Sequence, residues 1–253
     1  MFVRIAIPAL LLASCSALKS PRLGSLPASP PVAITGSGFI EKAAGMKGWE
    51  RDSLALFYLK NGNFPDFLKK LVPIRVELPV GGITKKLILF VTPDYMSIGK
   101  NENWVRVPLT PKAATELAES LNCILPTAYL VDMIYRQAEI KLEPIPLFAF
   151  RDSTPTFYHH HLIIEGQRKQ RKGLIAGIKK DIISSADPKH LQRQDRVIIY
   201  GWHTPDGRPI QPVYSGHVNW YVDYSHGLRL VYNKGWMDGK WVSLKDINLP
   251  DTN

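Results

Sequence analysis

The sequence predicts an α+β domain, with an antiparallel sheet in the C-terminal half packed by helices from the N-terminal half. Three observations predict it. Helical spacing is concentrated between Trp49 and Ala138, strand-like runs dominate from about Tyr158 to Trp241, and no regular alternation of strand and helix runs through the chain.

Residues 1–14 contain one basic residue, Arg4, an apolar run from Ile5 to Leu12 and then small residues. This is the layout of a secretory signal, and the run is too short to span a bilayer. It ends in Leu12-Ala13-Ser14-Cys15, which resembles the bacterial lipobox; the resemblance implies that Cys15 becomes the lipidated first residue of an exported, envelope-anchored protein. Residues 15–33 carry Pro21, Pro27, Pro30 and Pro31 among serines and alanines and read as lipid anchor and extended tether. Residues 34–253 contain neither an internal repeat nor a second linker and are taken as one domain.

Within the domain, Trp49 to Lys60 has helical spacing and is closed by Asn61-Gly62-Asn63, and a short helix is expected at Pro65 to Leu71. Ile74 to Leu78 and Lys85 to Val91 read as strands around Gly81-Gly82, and Ser97 to Val107 as a hairpin around Gly99-Lys100-Asn101. Thr110-Pro111 is a cap followed by a first-turn proline, opening a helix to about Leu121. A second helix starts at Pro126-Thr127 and aligns Leu130, Val131, Ile134, Tyr135 and Ala138 on one face. Strands are then expected at about Tyr158 to Glu165, Gly173 to Ser184, Arg196 to Trp202, His217 to Asp223 and Leu228 to Tyr232, with a last one near Trp241.

Chemistry is densest from His217 to Arg229. Alternation places His217, Asn219, Tyr221 and Asp223 on one strand face and Val218, Trp220 and Val222 on the other, with Tyr224-Ser225-His226-Gly227 as a turn whose glycine is free to take positive φ. Asp223, Ser225 and His226 also fit a bland reading, in which short polar side chains only bond the turn.

The formal charge is +10, and Arg168, Lys169, Arg171, Lys172, Lys179 and Lys180 fall in a stretch without an acid, expected near the tip of a 158–184 hairpin. Such a patch suits anionic lipid head groups or anionic wall polymer, whereas no nucleic-acid motif accompanies it and no nucleic-acid partner is expected. With Cys15 lipidated, Cys123 has no intrachain partner, so no disulfide framework is expected. His159-His160-His161 on a strand would point to opposite faces and could not converge on a metal. No HExxH, paired CxxC or glycine-rich phosphate loop occurs, so no metal or cofactor is implied.

The segments TAYLVDMIYRQAEIKL from Thr127, LQRQDRVIIYGW from Leu191 and GHVNWYVDYSHGLRLV from Gly216 resemble, in order and rough spacing, the three signature segments of NlpC-type papain-like cell-wall peptidases. The resemblance covers the C-terminal half and implies a papain-like shell, with Leu130-Val131 following the nucleophile, Asp195 on the turn aspartate and His217 as the catalytic histidine. The nucleophile's position is occupied by Thr127, with Cys123 four residues upstream. Over most of its length the chain also resembles a set of uncharacterised exported bacterial proteins sharing the strings Val91–Tyr95, Leu125–Thr127 and Val222–Gly227.

Two functions follow as expectations. The first is a cell-wall (peptidoglycan) hydrolase or acyl transferase: His217 as base, Thr127 or Cys123 as attacking group, Asp223 or His226 orienting His217 or binding substrate, Arg229 and Asn219 binding substrate. The second is a non-catalytic envelope lipoprotein that binds wall fragments or an envelope partner through its basic residues and tryptophans, Trp202, Trp220, Trp236 and Trp241 among them. Geometry separates them, because an enzyme must bring Thr127 or Cys123 within hydrogen-bond reach of His217.

Overall fold

The computed structural model describes residues 18–23, 32–193 and 195–252. The elements of the first half are α1 (Gly36–Lys42), α2 (Gly48–Lys60), α3 (Asp66–Lys69), β1 (Val72–Val80), β2 (Ile83–Val91), β3 (Ser97–Lys100), β4 (Asn103–Arg106), α4 (Pro111–Ser120), β5 (Cys123–Ile124) and α5 (Ala128–Gln137). There follow β6 (Ile140–Lys141), α6 (Thr154–Arg168), β7 (Ile175–Ala176), β8 (Lys180–Ile182), α7 (Pro188–Leu191), β9 (Ile199–His203), β10 (Pro209–Tyr214), β11 (His226–Gly227), β12 (Val231–Tyr232), β13 (Lys234–Met237) and β14 (Lys240–Ser243). The predicted α+β class holds: helices pack on antiparallel sheets.

β1 and β2, nine residues each, form a hairpin whose turn, Gly81-Gly82, has φ of 59° and 81°. Two consecutive left-handed residues match the twist of a tight hairpin, and only glycine adopts them without cost. β2 is central. β1 covers one edge, and β12 and β13 share the other through Val231 opposite Val91 and Trp236 opposite Ile88. Its period of two serves both faces: Leu87, Leu89 and Val91 pack with Leu130 and Ile134 of α5, while Phe90 joins Ala114 and Leu117 of α4 and Leu59 of α2. A second sheet runs β10-β9-β8-β11, antiparallel except for the β8–β11 pair, which is parallel.

Several expectations are corrected. Tyr158 to Glu165 is not a strand but the middle of α6, which is capped by Ser153, whose side chain accepts from the Thr156 amide at 3.4 Å, with a proline in the first turn. Phe157, His160, His161 and Ile164 are its buried stripe. The basic stretch is consequently not one hairpin tip. Lys169, Arg171 and Lys172 are exposed beyond the end of α6, whereas Lys179 and Lys180 are buried. His217 to Asp223 is irregular rather than a strand, with Val218 bridging Arg196 and the Tyr221 amide turning back to the Val218 carbonyl at 3.0 Å. Residues 224–227 do not close a hairpin. His226 and Gly227 pair in parallel with Lys180 and Asp181, and the chain then crosses to the first sheet, where the Leu228 and Leu230 carbonyls accept from the Met96 and Thr92 amides. Gly227 is not in the positive-φ region; it is needed because a Cβ there would stand 2.5 Å from the Tyr95 ring.

The expected signal, Cys15 and part of the expected tether lie outside the described residues. Of the remaining tether, Leu23 is buried and its amide donates to the Lys69 carbonyl at 2.9 Å. Among the described residues no helix is long and apolar enough to cross a membrane.

Candidate functional site

The parallel junction of β8 with β11 is surrounded by polar side chains that the fold has removed from water. Asp94, Arg106, His160, His161, Lys179, Asp181, Asp223, His226 and Arg229 are all buried there. Burial of charge is costly unless every group finds a partner, so the partners of each decide what the region is for.

The deeper part is matched around Arg106 and Arg229, although His160 Nε2 and Asp181 Oδ1 have no hydrogen-bond partner among the described residues. Arg106 grips Asp94 bidentately, Nε to Oδ1 at 2.9 Å and Nη2 to Oδ2 at 2.6 Å, and its Nη1 lies 3.2 Å from His161 Nδ1. This pairing holds the Asp94 carboxyl below its ordinary range in spite of burial. Lys179 sits 3.1 Å from His160 Nδ1 and donates to the Tyr224 carbonyl; burial, then the nearby Arg106 charge, bring its ammonium down to about 7. Burial also lowers His160 to about 2 and His161 to about 3, so both are neutral imidazoles. Arg229, expected to hold a substrate carboxylate, is instead a core brace. Its Nη1 and Nη2 donate to the Thr92 and Ile175 carbonyls at 2.7 and 2.5 Å, and its guanidinium lies over the Tyr95 ring.

Toward the surface the matching stops. Asp223 accepts four hydrogen bonds: Ser225 N and Oγ on Oδ1 at 2.8 and 2.6 Å, Arg151 Nη2 and the Tyr221 hydroxyl on Oδ2 at 2.8 and 3.0 Å. Burial opposes its charge, but the neighbouring His226, the Ser225 donors and Arg151 hold the carboxyl well below its ordinary range. His226 is fully enclosed with Nε2 4.0 Å from Asp223 Oδ1, and neither ring nitrogen has a hydrogen-bond partner among the described residues. Burial outweighs the Asp223 charge and takes its pKa down to about 4. His217 is half-buried with its ring centroid 6.3 Å from that of His226 and 4.7 Å from that of Tyr221. Burial lowers its pKa too, against the pull of Asp223. The Lys180 ammonium, lowered by burial, lies 4.8 Å from the centre of the Trp202 ring. Trp202 itself has φ of 58°, a left-handed conformation rare for a bulky residue.

Thus His217, Asp223 and His226 are brought together as one cluster, while Thr127 and Cys123 are occupied elsewhere. Thr127 is the N-cap of α5: its hydroxyl accepts from the Leu130 amide at 3.3 Å and donates to the Pro250 carbonyl at 2.7 Å. Cys123 is buried in β5 beside the Leu121 carbonyl, where burial pushes the thiol up to about 12. That is the opposite of an activated thiolate. Asn219 is held by its backbone, its amide donating to the Asp195 carbonyl at 2.8 Å. Sequence reasoning missed Arg151, took Lys179 and Lys180 for part of an exposed basic hairpin, and placed His160 and His161 on a strand. Only the two histidines had a local signal, the helical spacing of Phe157, His160, His161 and Ile164.

Beside this cluster, between the start of α2 and the loops 152–155 and 218–222, lies a cavity of about 680 Å³ lined by Trp49, Arg51, Asp152, Trp220, Tyr221 and Val222 among others. Trp49 and Trp220 are 75% and 68% exposed, and Tyr221 links this cavity to Asp223 and His217. Comparison of the chain with protein-family models, with curated proteins and with solved structures found no match in any of the three.

Proposed function

We propose that the protein is a lipid-anchored component of the bacterial cell envelope that binds cell-wall fragments without cleaving them, using the tryptophan-lined cavity and the His217–Asp223–His226 cluster at its end. The export and anchoring parts rest on the Leu12–Cys15 sequence. The observation that carries the non-catalytic part is the fate of the two attacking groups: the Thr127 hydroxyl is consumed as a helix cap and the Cys123 thiol is buried and protonated. What stays presented to solvent is binding equipment, two exposed indoles, the half-buried His217 and Arg151.

A second reading, a wall hydrolase or acyl transferase acting through His217 on a water or a substrate hydroxyl, is favoured by one feature. His217 is held neutral near pH 7 beside an ionised Asp223, the state a general base requires. Incubation of the purified protein with isolated wall sacculi separates the two. Binding predicts that protein sediments with the sacculi, that Trp49→Ala and Trp220→Ala reduce sedimentation, and that no soluble fragments appear. Fragment release that disappears in His217→Ala would replace the binder by the hydrolase.

A further inference from the structure

A second polar site lies at the C-terminal end of β9 and shares no residue with the His217–Asp223–His226 cluster. A cavity of about 500 Å³ opens between the C-terminal part of α5, β6 and the turn joining β9 to β10, lined by Asp132, Tyr135, Arg136, Lys141, His203 and Arg208 among others. Its floor is an imidazole–carboxylate pair with a buried His203: His203 Nε2 lies 2.9 Å from Asp132 Oδ1, and the Tyr200 hydroxyl donates to the same oxygen at 2.9 Å. The Tyr135 ring stacks on His203 at 4.4 Å. Its hydroxyl donates to the Thr204 carbonyl at 2.7 Å, which fixes the wall formed by the turn. That turn is further tied by the Thr204 amide to the Arg208 carbonyl and the Gly207 amide to the Thr204 carbonyl. The walls therefore need no reordering before a ligand enters.

Charge decides what it takes. Asp206 is paired with Arg208 at 2.7 Å and bonded by the Thr204 hydroxyl, so that pair cancels. Asp132 is occupied by His203 and Tyr200, and facing it are two cations, the exposed Arg136 on the next turn of α5 and Lys141, whose ammonium lies 5.1 Å from the centre of the Tyr135 ring. One positive charge is left over, and the guanidinium fork of Arg136 matches the two oxygens of a carboxylate. From this geometry we infer that the cavity binds the free carboxylate of an amino acid or peptide, with Arg136 and Lys141 on the carboxylate and the Tyr135–His203 stack as the flat wall behind it. A small molecule of this kind fits the volume.

The test uses N-acetylalanine and its neutral methyl ester as probes on the whole protein, followed by NMR of the His203 and Tyr135 ring signals. The acid shifts both rings and the ester does not; Arg136→Gln and Lys141→Gln together weaken the response more than about tenfold, the size expected for losing a charge-assisted pair. The fold is checked separately by unfolding of the double variant, since both side chains are exposed. Equal response to acid and ester, no response from either, or an unchanged response in the double variant would each overturn the inference. Preferential binding of inorganic phosphate would overturn its assignment to a carboxylate.

Discussion

Asp94 and Asp223 are both carboxylates with 1% of their surface exposed, and both are held below the ordinary carboxylate range, yet they differ in what surrounds them. At Asp94 two of the carboxylate's contacts come from a single Arg106 clasp, and the remaining guanidinium nitrogen of Arg106 meets Glu165 at 2.9 Å and His161 at 3.2 Å. At Asp223 the carboxylate is just as fully bonded, but the adjacent His226 is left 4.0 Å away with neither nitrogen hydrogen-bonded among the described residues. A buried ion pair with a full complement is scaffold. A buried imidazole without one is where an outside group has something to complete.

That contrast can be broken most forcefully at Arg106. Arg106→Met leaves Asp94 buried and unpaired, and a loss of about 3–5 kcal/mol is expected in denaturant unfolding. A loss well under that range would mean Asp94 relaxes into water and the clasp is not scaffold.

Acid titration sharpens it next. His160, His161 and His226 have native pKa values of about 2, 3 and 4 against an ordinary 6.5, so below pH 6.5 the unfolded chain binds protons that the native state does not. Their contribution is fully present above pH 6.5 and is lost as the pH falls toward 4. Asp181, which burial raises from 3.8 to about 6, acts in the opposite sense over the lower part of that window, but with one proton against three. Thermal midpoints measured between pH 7 and 4.5 should therefore fall steadily, and His226→Phe should lessen the slope by about one proton, about 1.4 kcal/mol per pH unit. An unaltered slope in that variant would show that His226 is not held neutral.

The smallest expected effect is at Thr127. Thr127→Ala removes a cap and should cost about 1 kcal/mol of stability while leaving sedimentation with sacculi unchanged. Loss of binding or of an activity out of proportion to stability would return Thr127 to the site.

How much of this was legible depended on whether the signal was local. β1, β2 and the Gly81-Gly82 turn were readable because alternation and turn chemistry lie within twenty residues, and α4 and α5 because a threonine cap announced each. Even there, the Thr110 hydroxyl turned out to donate to Asp52 instead of capping α4. α6 was misread because threonine, phenylalanine, tyrosine and isoleucine carry strand propensity, and tertiary burial of its 157–164 stripe overrode it. His217 to Asp223 alternates as a strand would, but Asp223 spends its oxygens on the following turn and on Arg151, so the segment never forms a ladder. The cluster's membership was partly legible, since His217, Asp223 and His226 are neighbours in sequence. Lys179, Lys180 and Arg151 joined it only through the β8–β11 pairing and the loop over Tyr224, contacts no local pattern carries.

The central position of β2 has a kinetic consequence. Its second edge is closed by Val231, Trp236 and Met237, which are synthesised about 140 residues after it. Until those residues arrive, the β1–β2 hairpin offers an open edge flanked by leucines and valines, a template for pairing with another chain. Truncation before β12 would leave that edge permanently bare. The C-terminal strands thus act as the molecule's closing step, and a chain stalled short of them is the form most exposed to aggregation.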